Sequence, residues 1–312
     1  MLTRRHIRIK VMQALFAFYQ GESKEIKDGL SDLNKSIQNI YTLYLYELKM
    51  FWHFHRFLEE RLEIEKQKKI HNPNREFRIQ ALLEMPFMHA LASDKDVLKI
   101  WDKKNINWGD DLDMIRGAFF SFWTTEMDGE WLNSSETPGE QDSILWFKRF
   151  YRDAIANNES IQSHYEDLSM HWSDDLDAAQ MMAVQTLQNA KRGKPLLVNL
   201  FKDEDDESFA EMIFIKSITS HDELMAKVRS KSEKWDYERL APVDRCIIEQ
   251  SMIEVQYATE VPVKVTINEA IELAKQYSTE KSPGFINGLL DSLVKDMISE
   301  GKVKKIGRGL ID

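Results

Sequence analysis

Glycine and proline are scarce in this chain, and their scarcity limits the folds that it can adopt. The 312 residues include only 12 Gly and 7 Pro, whereas average usage is about 7% and 5%. Sandwiches and barrels of many short strands need frequent turns, which depend on these two residues. The sequence therefore predicts an all-α fold of long helices. A chain of this length buries enough apolar surface to fold without disulfides or metal.

Cysteine usage and hydropathy indicate the compartment. The single cysteine, Cys246, excludes a disulfide framework and a multi-thiolate zinc site, and it suits a reducing environment. Its apolar neighbours favour a buried thiol over a nucleophile. Met1–Lys10 lacks the apolar block of a signal peptide, and the most apolar stretch, Tyr41–Leu58, carries charges that a bilayer would reject. We expect a cytoplasmic protein without a membrane-spanning segment.

Positive charge is concentrated at the start of the chain. The net charge is -10, yet the first 20 residues contain four cations and no acid. A helix is predicted over residues 4–19, and one of its faces carries Arg4, Arg5 and Arg8. Cations in a first turn oppose the helix dipole, where acids would stabilise by about 0.3–1 kcal/mol each. The arginines therefore either meet an anionic partner or form a merely solvated polar face, and this segment leaves both interpretations open.

The middle of the chain is predicted to be helical, with a large insertion over residues 21–139 and further helices over residues 143–188. The insertion contains His53 and His55, but residues two apart on a helix point to opposite sides, which disfavours a metal site. Breaks are predicted at three places: Asn72–Asn74, Met85–Pro86 and Asn133–Gly139.

Five consecutive acids, Asp203–Glu207, follow these helices. Such a run is usually a solvated loop, and a divalent-cation site is the weaker alternative. Ser208 and Glu211 have the spacing of a capping box, so the next helix is predicted to begin there.

Three helices are predicted after Trp235. Pro242 and Asp244 suit the first turn of the first helix, which should bury Cys246, Ile247, Ile253 and Tyr257. The second is predicted to begin with a capping box of Thr266 and Glu269 and to end near Tyr277. Ser282 is predicted to cap the third. Phe285 lies beside the apolar stripe of that helix and follows Lys281, so its ring either stacks on a nucleobase or packs into the core.

No catalytic or cofactor motif is found in the sequence. It contains no Gly-rich phosphate loop, no nucleophile elbow and no His-Glu-x-x-His zinc motif. Adjacent carboxylates such as Asp110 and Asp111 diverge on a helix, so they form no acid–base pair. We therefore expect no enzyme, no metal and no cofactor. The net negative charge also argues against non-specific coating of nucleic acid, which leaves a helical protein with one basic, aromatic edge.

Three C-terminal stretches form a recognisable pattern: residues 238–245 (ERLAPVDR), 261–275 (VPVKVTINEAIELAK) and 282–291 (SPGFINGLLD). The last two are similar to a long, ungapped pattern of the bacterial NusB family of transcription antitermination factors, and the first resembles the family motif that precedes that pattern. At the other end, residues 4–8 (RRHIR) and 13–16 (QALF) resemble the arginine-rich start of the family's first helix.

The resemblance implies a two-lobed helical fold with additional inserted helices. It places an N-terminal lobe in residues 1–235, family-like over 1–20 and about 140–177, with insertions at 21–139 and about 178–232. The C-terminal lobe would be residues 236–312. The resemblance also implies binding of single-stranded boxA-type RNA together with the ribosomal protein NusE, within an antitermination complex on RNA polymerase that promotes processive transcription of ribosomal RNA operons.

Site residues follow from the same resemblance. It places six residues on the RNA side: Arg4, Arg5, Arg8, Tyr277, Lys281 and Phe285. Phe16 and Asp244 would contact the partner protein, although Phe16 replaces the usual tyrosine and Glu249 stands where many members have arginine. Two alternatives stay open: a protein-binding helical scaffold that has lost RNA binding, and a NusB-like accessory domain of an RNA methyltransferase, for which no methyltransferase motif follows in this chain.

Overall fold

The structure, a computed structural model, describes residues 1–23, 25–169, 172–190, 195–231 and 240–310, without the side chain of Ser173. The described residues form helices and no strand, so the all-α prediction is confirmed. The α-helices are α1 (Arg4–Gln20), α2 (Ile26–Gln67), α3 (Pro73–Leu83), α4 (Pro86–Ser93), α5 (Lys95–Lys104), α6 (Leu112–Glu126), α7 (Glu130–Asn133), α8 (Glu140–Phe150), α9 (Glu159–Leu168), α10 (Trp172–Asn189), α11 (Glu204–Thr219), α12 (His221–Lys231), α13 (Pro242–Tyr257), α14 (Val263–Tyr277) and α15 (Ser282–Ser299).

The chain divides into two compact units. Unit 1 contains residues 38–200 together with Met1, and unit 2 contains residues 2–37 and 201–312. The long helix α2 contributes its first twelve or so residues to unit 2 and the rest to unit 1. The predicted lobe boundary after residue 235 lies outside the described residues.

Unit 1 has an aromatic core around α2. Phe51, Phe54 and Phe57 follow one another at helical spacing and are buried. Their rings pack against Phe119 of α6 and against Phe150 of α8. The predicted breaks are confirmed as helix starts and ends: Asn72 caps α3, Met85 precedes α4, and residues 134–139 separate α7 from α8.

A buried carboxyl group lies in this aromatic core. Glu47 is fully buried, and the hydroxyl of Tyr151 donates a hydrogen bond to it at 2.5 Å. Burial raises the pKa of Glu47 to about 7, because a carboxylate loses its hydration there.

Unit 2 is built from α1, the start of α2 and α11–α15. Helix α1 packs on α11 and α13, while α13, α14 and α15 pack on one another. The apolar stripe predicted for α15 is confirmed, since Ile286, Leu290 and Leu293 are buried. Cys246 is also buried as predicted, which raises the pKa of its thiol to about 12 and keeps the thiolate scarce.

Several local predictions in unit 2 are wrong. The acids Asp203–Glu207 do not form a loop: Asp203 caps α11 by accepting from the backbone N–H of Asp206, and the other acids occupy its first turn, where they favour the dipole. The capping box at Ser208 therefore does not exist. Tyr257 is 39% exposed rather than buried, because it ends α13.

Two caps in the C-terminal helices also differ from prediction. Helix α14 begins after Pro262, four residues earlier than predicted, so Thr266 lies inside it. The Thr266 hydroxyl instead donates to Glu254 at 2.8 Å. Helix α15 includes Ser282 and is preceded by Lys281.

Candidate functional site

Arg8 lies in a buried ion pair between α1 and α13. Its Nε and Nη2 atoms donate to the two carboxylate oxygens of Glu254 at 2.7 and 2.6 Å. Arg8 is 5% exposed and Glu254 is 1% exposed. Burial opposes the charged form, but the hydrogen bonds and the charge of Glu254 outweigh it and raise the pKa of Arg8. A bidentate pair of this kind is short, directional and hidden from water, so it fixes α1 on α13.

Arg5 forms a similar pair that faces solvent. Its Nε and Nη2 atoms donate to Glu269 of α14 at 2.9 and 2.8 Å, while its own side chain is 52% exposed. The hydrogen bond from Arg5 lowers the pKa of Glu269. Glu269 is also 3.7 Å from Nη1 of Arg8, so it joins the two arginines into one network across α1, α13 and α14.

Arg4 reaches α11. Its Nε atom is 3.0 Å from Oδ1 of Asp206, and its side chain is 33% exposed. The ring of Phe209 lies beneath two of the arginines, with its centroid 4.9 Å from the guanidinium carbon of Arg4 and 5.7 Å from that of Arg8. Such cation–π contacts hold the guanidinium groups in place.

Each of the three arginines therefore has an internal carboxylate partner, which sequence reasoning missed. The partners are 202 to 264 residues away in the chain. Glu269 drew notice only as part of a capping box, Asp206 only as part of an acidic run, and Glu254 not at all. Local periodicity has no signal for pairs at that separation, although the first-turn cations Arg4 and Arg5, with no acid nearby in sequence, indicate that some anion must be supplied.

The structure brings Arg5 next to the end of α14. A small cavity of about 170 Å³ is lined by Arg5, Glu269, Lys275 and Gln276, the last of which precedes Tyr277. Tyr277 is half-buried at the end of the helix, and Lys281 is exposed in the following turn. The cavity thus joins Arg5 of α1 to the last turn of α14, directly before Tyr277.

Phe285 lies in the first turn of α15 and is half-buried. A Cβ atom added at Gly284 or at Gly288 would meet no atom within 4 Å beyond the chain neighbours and the backbone of α15, so the helix surface at these two glycines is open.

The two residues predicted on the partner side differ in exposure. Phe16 is 37% exposed on α1, whereas Asp244 is 4% exposed at the start of α13. Oδ2 of Asp244 accepts a hydrogen bond from the Ser282 hydroxyl at 2.8 Å. Asp244 therefore holds the start of α15 against α13. The contact is made at Ser282, three residues before Phe285.

Glu249 has its own partner. It is fully buried on α13, and the Nδ1 atom of His221 lies 2.9 Å from its Oε1 atom. Burial raises the pKa of Glu249, and the hydrogen bond to Glu249 raises the pKa of His221. Both shifts favour a shared proton between the two groups.

The described residues were also compared with the requirements of a metal site and of a membrane-spanning helix. No group of three or more His, Cys, Asp or Glu side chains among them is placed to hold a metal ion. Within the same ranges, no helix is both long and apolar enough to cross a membrane.

Comparison with known proteins gives consistent matches in the C-terminal part of the chain. The model of the NusB family matches residues 175–295. A transcription antitermination protein NusB from Salinibacter ruber is 36% identical over 129 residues, which are 41% of this chain and 81% of that protein. The NusB of Methylacidiphilum infernorum is 43% identical over 95 residues, 30% of this chain and 66% of that protein. The NusB of Thermodesulfovibrio yellowstonii is 39% identical over 102 residues, which are 32% of this chain and 67% of that protein.

The family match covers only part of the chain. It includes residues 178–232, which were predicted to be an insertion, and it does not include α1. No solved structure matches the chain.

Proposed function

The chain belongs to the NusB family, and from that premise we propose that it is a cytoplasmic transcription antitermination factor. In this proposal it binds boxA-type single-stranded RNA together with NusE and promotes processive transcription of ribosomal RNA operons. It acts by binding and not as an enzyme. Its relatives from three bacteria carry the name of transcription antitermination proteins, which supports the general role.

The observation that supports the RNA-binding part is the juxtaposition of α1 with the end of α14. The Arg5–Glu269 pair joins residues 264 apart in sequence, and the cavity beside it includes Lys275 and Gln276. Tyr277 follows Gln276 directly, and Lys281 and Phe285 come four and eight residues after Tyr277. A single strand requires cations for its phosphates and aromatic rings for its bases, and this segment contains both residue types.

The arginines have different tasks in this proposal. Arg5 is 52% exposed, and opening an exposed ion pair costs only about 0.2–1 kcal/mol, so a phosphate can replace Glu269 as its partner. Asp206 is buried, so Arg4 keeps this partner and meets a phosphate with the exposed part of its guanidinium. Arg8 is too deeply buried for such an exchange, so it is a positioning residue that holds α1 and, through Glu269, the orientation of Arg5.

The partner side rests on Phe16 and Asp244. Phe16 offers an exposed ring to a protein surface, whereas Asp244 acts as a buried positioning residue in the first turn of α13. In this proposal NusE contacts the region of α1 and α13 while RNA lies along α14 and α15.

One observation favours a second candidate function, the protein-binding scaffold. All three arginines already have carboxylate partners inside the chain, as a surface that no longer meets RNA would. The exposure of Arg5 keeps RNA binding as the preferred proposal.

A gel-shift titration separates the two candidates. The RNA is a boxA-type oligonucleotide, its control has the same bases in shuffled order, and each is titrated with the full chain in the presence and absence of NusE. The antitermination proposal is supported if the chain prefers the boxA-type strand and if NusE strengthens that preference. Absence of binding to either strand supports the scaffold, and equal binding of both strands contradicts recognition of a boxA-type sequence.

A further inference from the structure

Unit 1 contains an open cavity that the proposed function does not use. Its volume is about 580 Å³, and it lies where α3, α7 and α8 meet the end of α6. The side chains that matter for its chemistry are Arg78, Glu126, Trp131, Pro138, Leu145 and Arg149.

Arg78 is a buried cation without a counter-ion. It is 4% exposed, and its Nε atom donates to the backbone oxygen of Ser134 at 3.4 Å. Its guanidinium carbon lies 4.8 Å from the centroid of the Trp131 ring. Within the described part of the chain, no carboxylate lies within 4.0 Å of it and its two terminal nitrogens have no hydrogen-bond acceptor. A buried charge that lacks a partner is costly, so the position favours an anion from outside.

The other arginine of the cavity, Arg149, has a carboxylate partner. Arg149 is 42% exposed and pairs with Glu126 at 2.5 Å. The more accessible cation is thus neutralised within the protein, whereas the deeper one is not. The same oxygen of Glu126 accepts from the indole N–H of Trp146 at 2.9 Å, so this carboxylate is committed to the wall.

The remaining acids limit the charge of a ligand. Asp142 accepts from the backbone N–H of Gly139 at 3.0 Å, and Glu130 and Glu136 are exposed at the rim. Because a single uncompensated guanidinium faces these acids, the cavity favours one negative charge and opposes two.

The rest of the wall is apolar. The rings of Trp131 and Trp146 are stacked, with centroids 5.3 Å apart and planes 27° apart. Leu145 is 60% exposed although it is a leucine, and Pro138 lies on the same wall. An apolar body placed there removes Leu145 from water.

We propose that this cavity binds an organic monocarboxylate with a flat apolar body. The carboxylate accepts hydrogen bonds from the terminal nitrogens of Arg78, and the apolar body lies against Leu145 and the edge of Trp131. The inference concerns unit 1 and does not depend on RNA binding by unit 2.

Isothermal titration of the full chain tests the proposal with three probes. They are 3-phenylpropionate, its neutral amide 3-phenylpropanamide, and inorganic phosphate. We expect saturable binding of the carboxylate, with the amide and phosphate each weaker by at least about tenfold, because a charge-assisted bond to a guanidinium is the main polar contact. An amide that binds as well as the acid overturns the proposal, as does the absence of saturable binding by 3-phenylpropionate.

Two variants and a control locate the site. Arg78→Met should weaken binding of 3-phenylpropionate by at least about tenfold. Leu145→Glu should weaken binding of 3-phenylpropionate by a similar factor. Because Leu145 is exposed, this variant should fold, and its affinity tests the proposal if Arg78→Met does not fold. The control is Leu168→Glu, which changes a leucine that is 46% exposed and does not line the cavity. Unchanged affinity in Leu145→Glu, or equal loss in the control, overturns the assignment.

Discussion

Replacing Arg8 by alanine should destabilise unit 2 strongly. The change removes the bidentate cation from Glu254, which is 1% exposed, and leaves the Thr266 hydroxyl donating to it. Removing one partner of a buried pair costs about 3–5 kcal/mol, because the other charge stays buried without compensation. This expectation is opposite to the effect of the helix dipole, by which removal of a cation near the start of α1 would stabilise the helix.

The matched control is Arg5→Ala, in the same helix and also in a bidentate pair. Arg5 is 52% exposed, so its loss should cost no more than about 1 kcal/mol. A double variant, Arg8→Met with Glu254→Met, removes both charges at similar volume and should recover most of the loss, since apolar replacement of a buried pair is often neutral.

Urea denaturation followed by circular dichroism measures the free energy of unfolding, and hydrogen exchange of peptides from α1 and α13 shows where protection is lost. Because the chain has two units, the exchange data assign the change to unit 2. Equal costs for Arg8→Ala and Arg5→Ala would refute the reasoning, as would a double variant no more stable than Arg8→Ala.

Three further predictions concern single residues. Phe285→Ala should weaken RNA binding by about 1–3 kcal/mol with little change in thermal midpoint, whereas a large drop in the midpoint would show that the ring belongs to the core. Asp244→Asn keeps an acceptor for Ser282, so in pull-down and gel-shift assays it should weaken NusE association and spare RNA binding; equal losses would place the residue on another face. Folding raises the pKa of Glu47 from 4.5 to about 7, so the protonated side chain stabilises the fold fully below pH 4.5. This contribution to the free energy of unfolding, roughly 3 kcal/mol, is lost as pH rises through 7. Glu47→Gln should therefore flatten the pH dependence of unfolding between pH 5 and 8, and an unchanged profile would contradict the assignment.

Helix positions were predictable where local chemistry decides them. Helix α1 was expected over residues 4–19 and spans Arg4–Gln20, because its apolar period is regular and Gly21 ends it. Pro242 marked the start of α13 correctly, since proline needs no backbone donor in a first turn.

Predictions failed where two local signals compete. The acids from Asp203 suited both a solvated loop and a helix start, and their charge favours the positive end of the dipole, so α11 begins there. The Thr266–Glu269 spacing imitates a capping box, but both side chains are drawn to other elements: Thr266 to Glu254, and Glu269 to Arg5.

The candidate site was predictable in its members and not in its contacts. Arg4, Arg5 and Arg8 stood out because they oppose the dipole, and Phe285 because it lies beside the apolar stripe. Their pairing with acids of α11, α13 and α14 depends on tertiary packing that periodicity does not encode. The buried Arg8 consequently has a different role from the exposed Arg5, although the two look alike in sequence.

The central claim is that exposed arginines of α1 meet RNA phosphates, and its most direct test is the salt dependence of RNA affinity. The wild type and the Arg4→Ala/Arg5→Ala variant are titrated with boxA-type RNA at several salt concentrations. The control is Arg116→Ala/Arg152→Ala, which removes two exposed, ion-paired arginines of unit 1. For single strands the logarithm of affinity falls with the logarithm of salt by about 0.7 per phosphate neutralised, so two lost contacts should flatten the slope by about 1.4 while the control keeps the wild-type slope. A slope that Arg4→Ala/Arg5→Ala leaves unchanged would contradict the account.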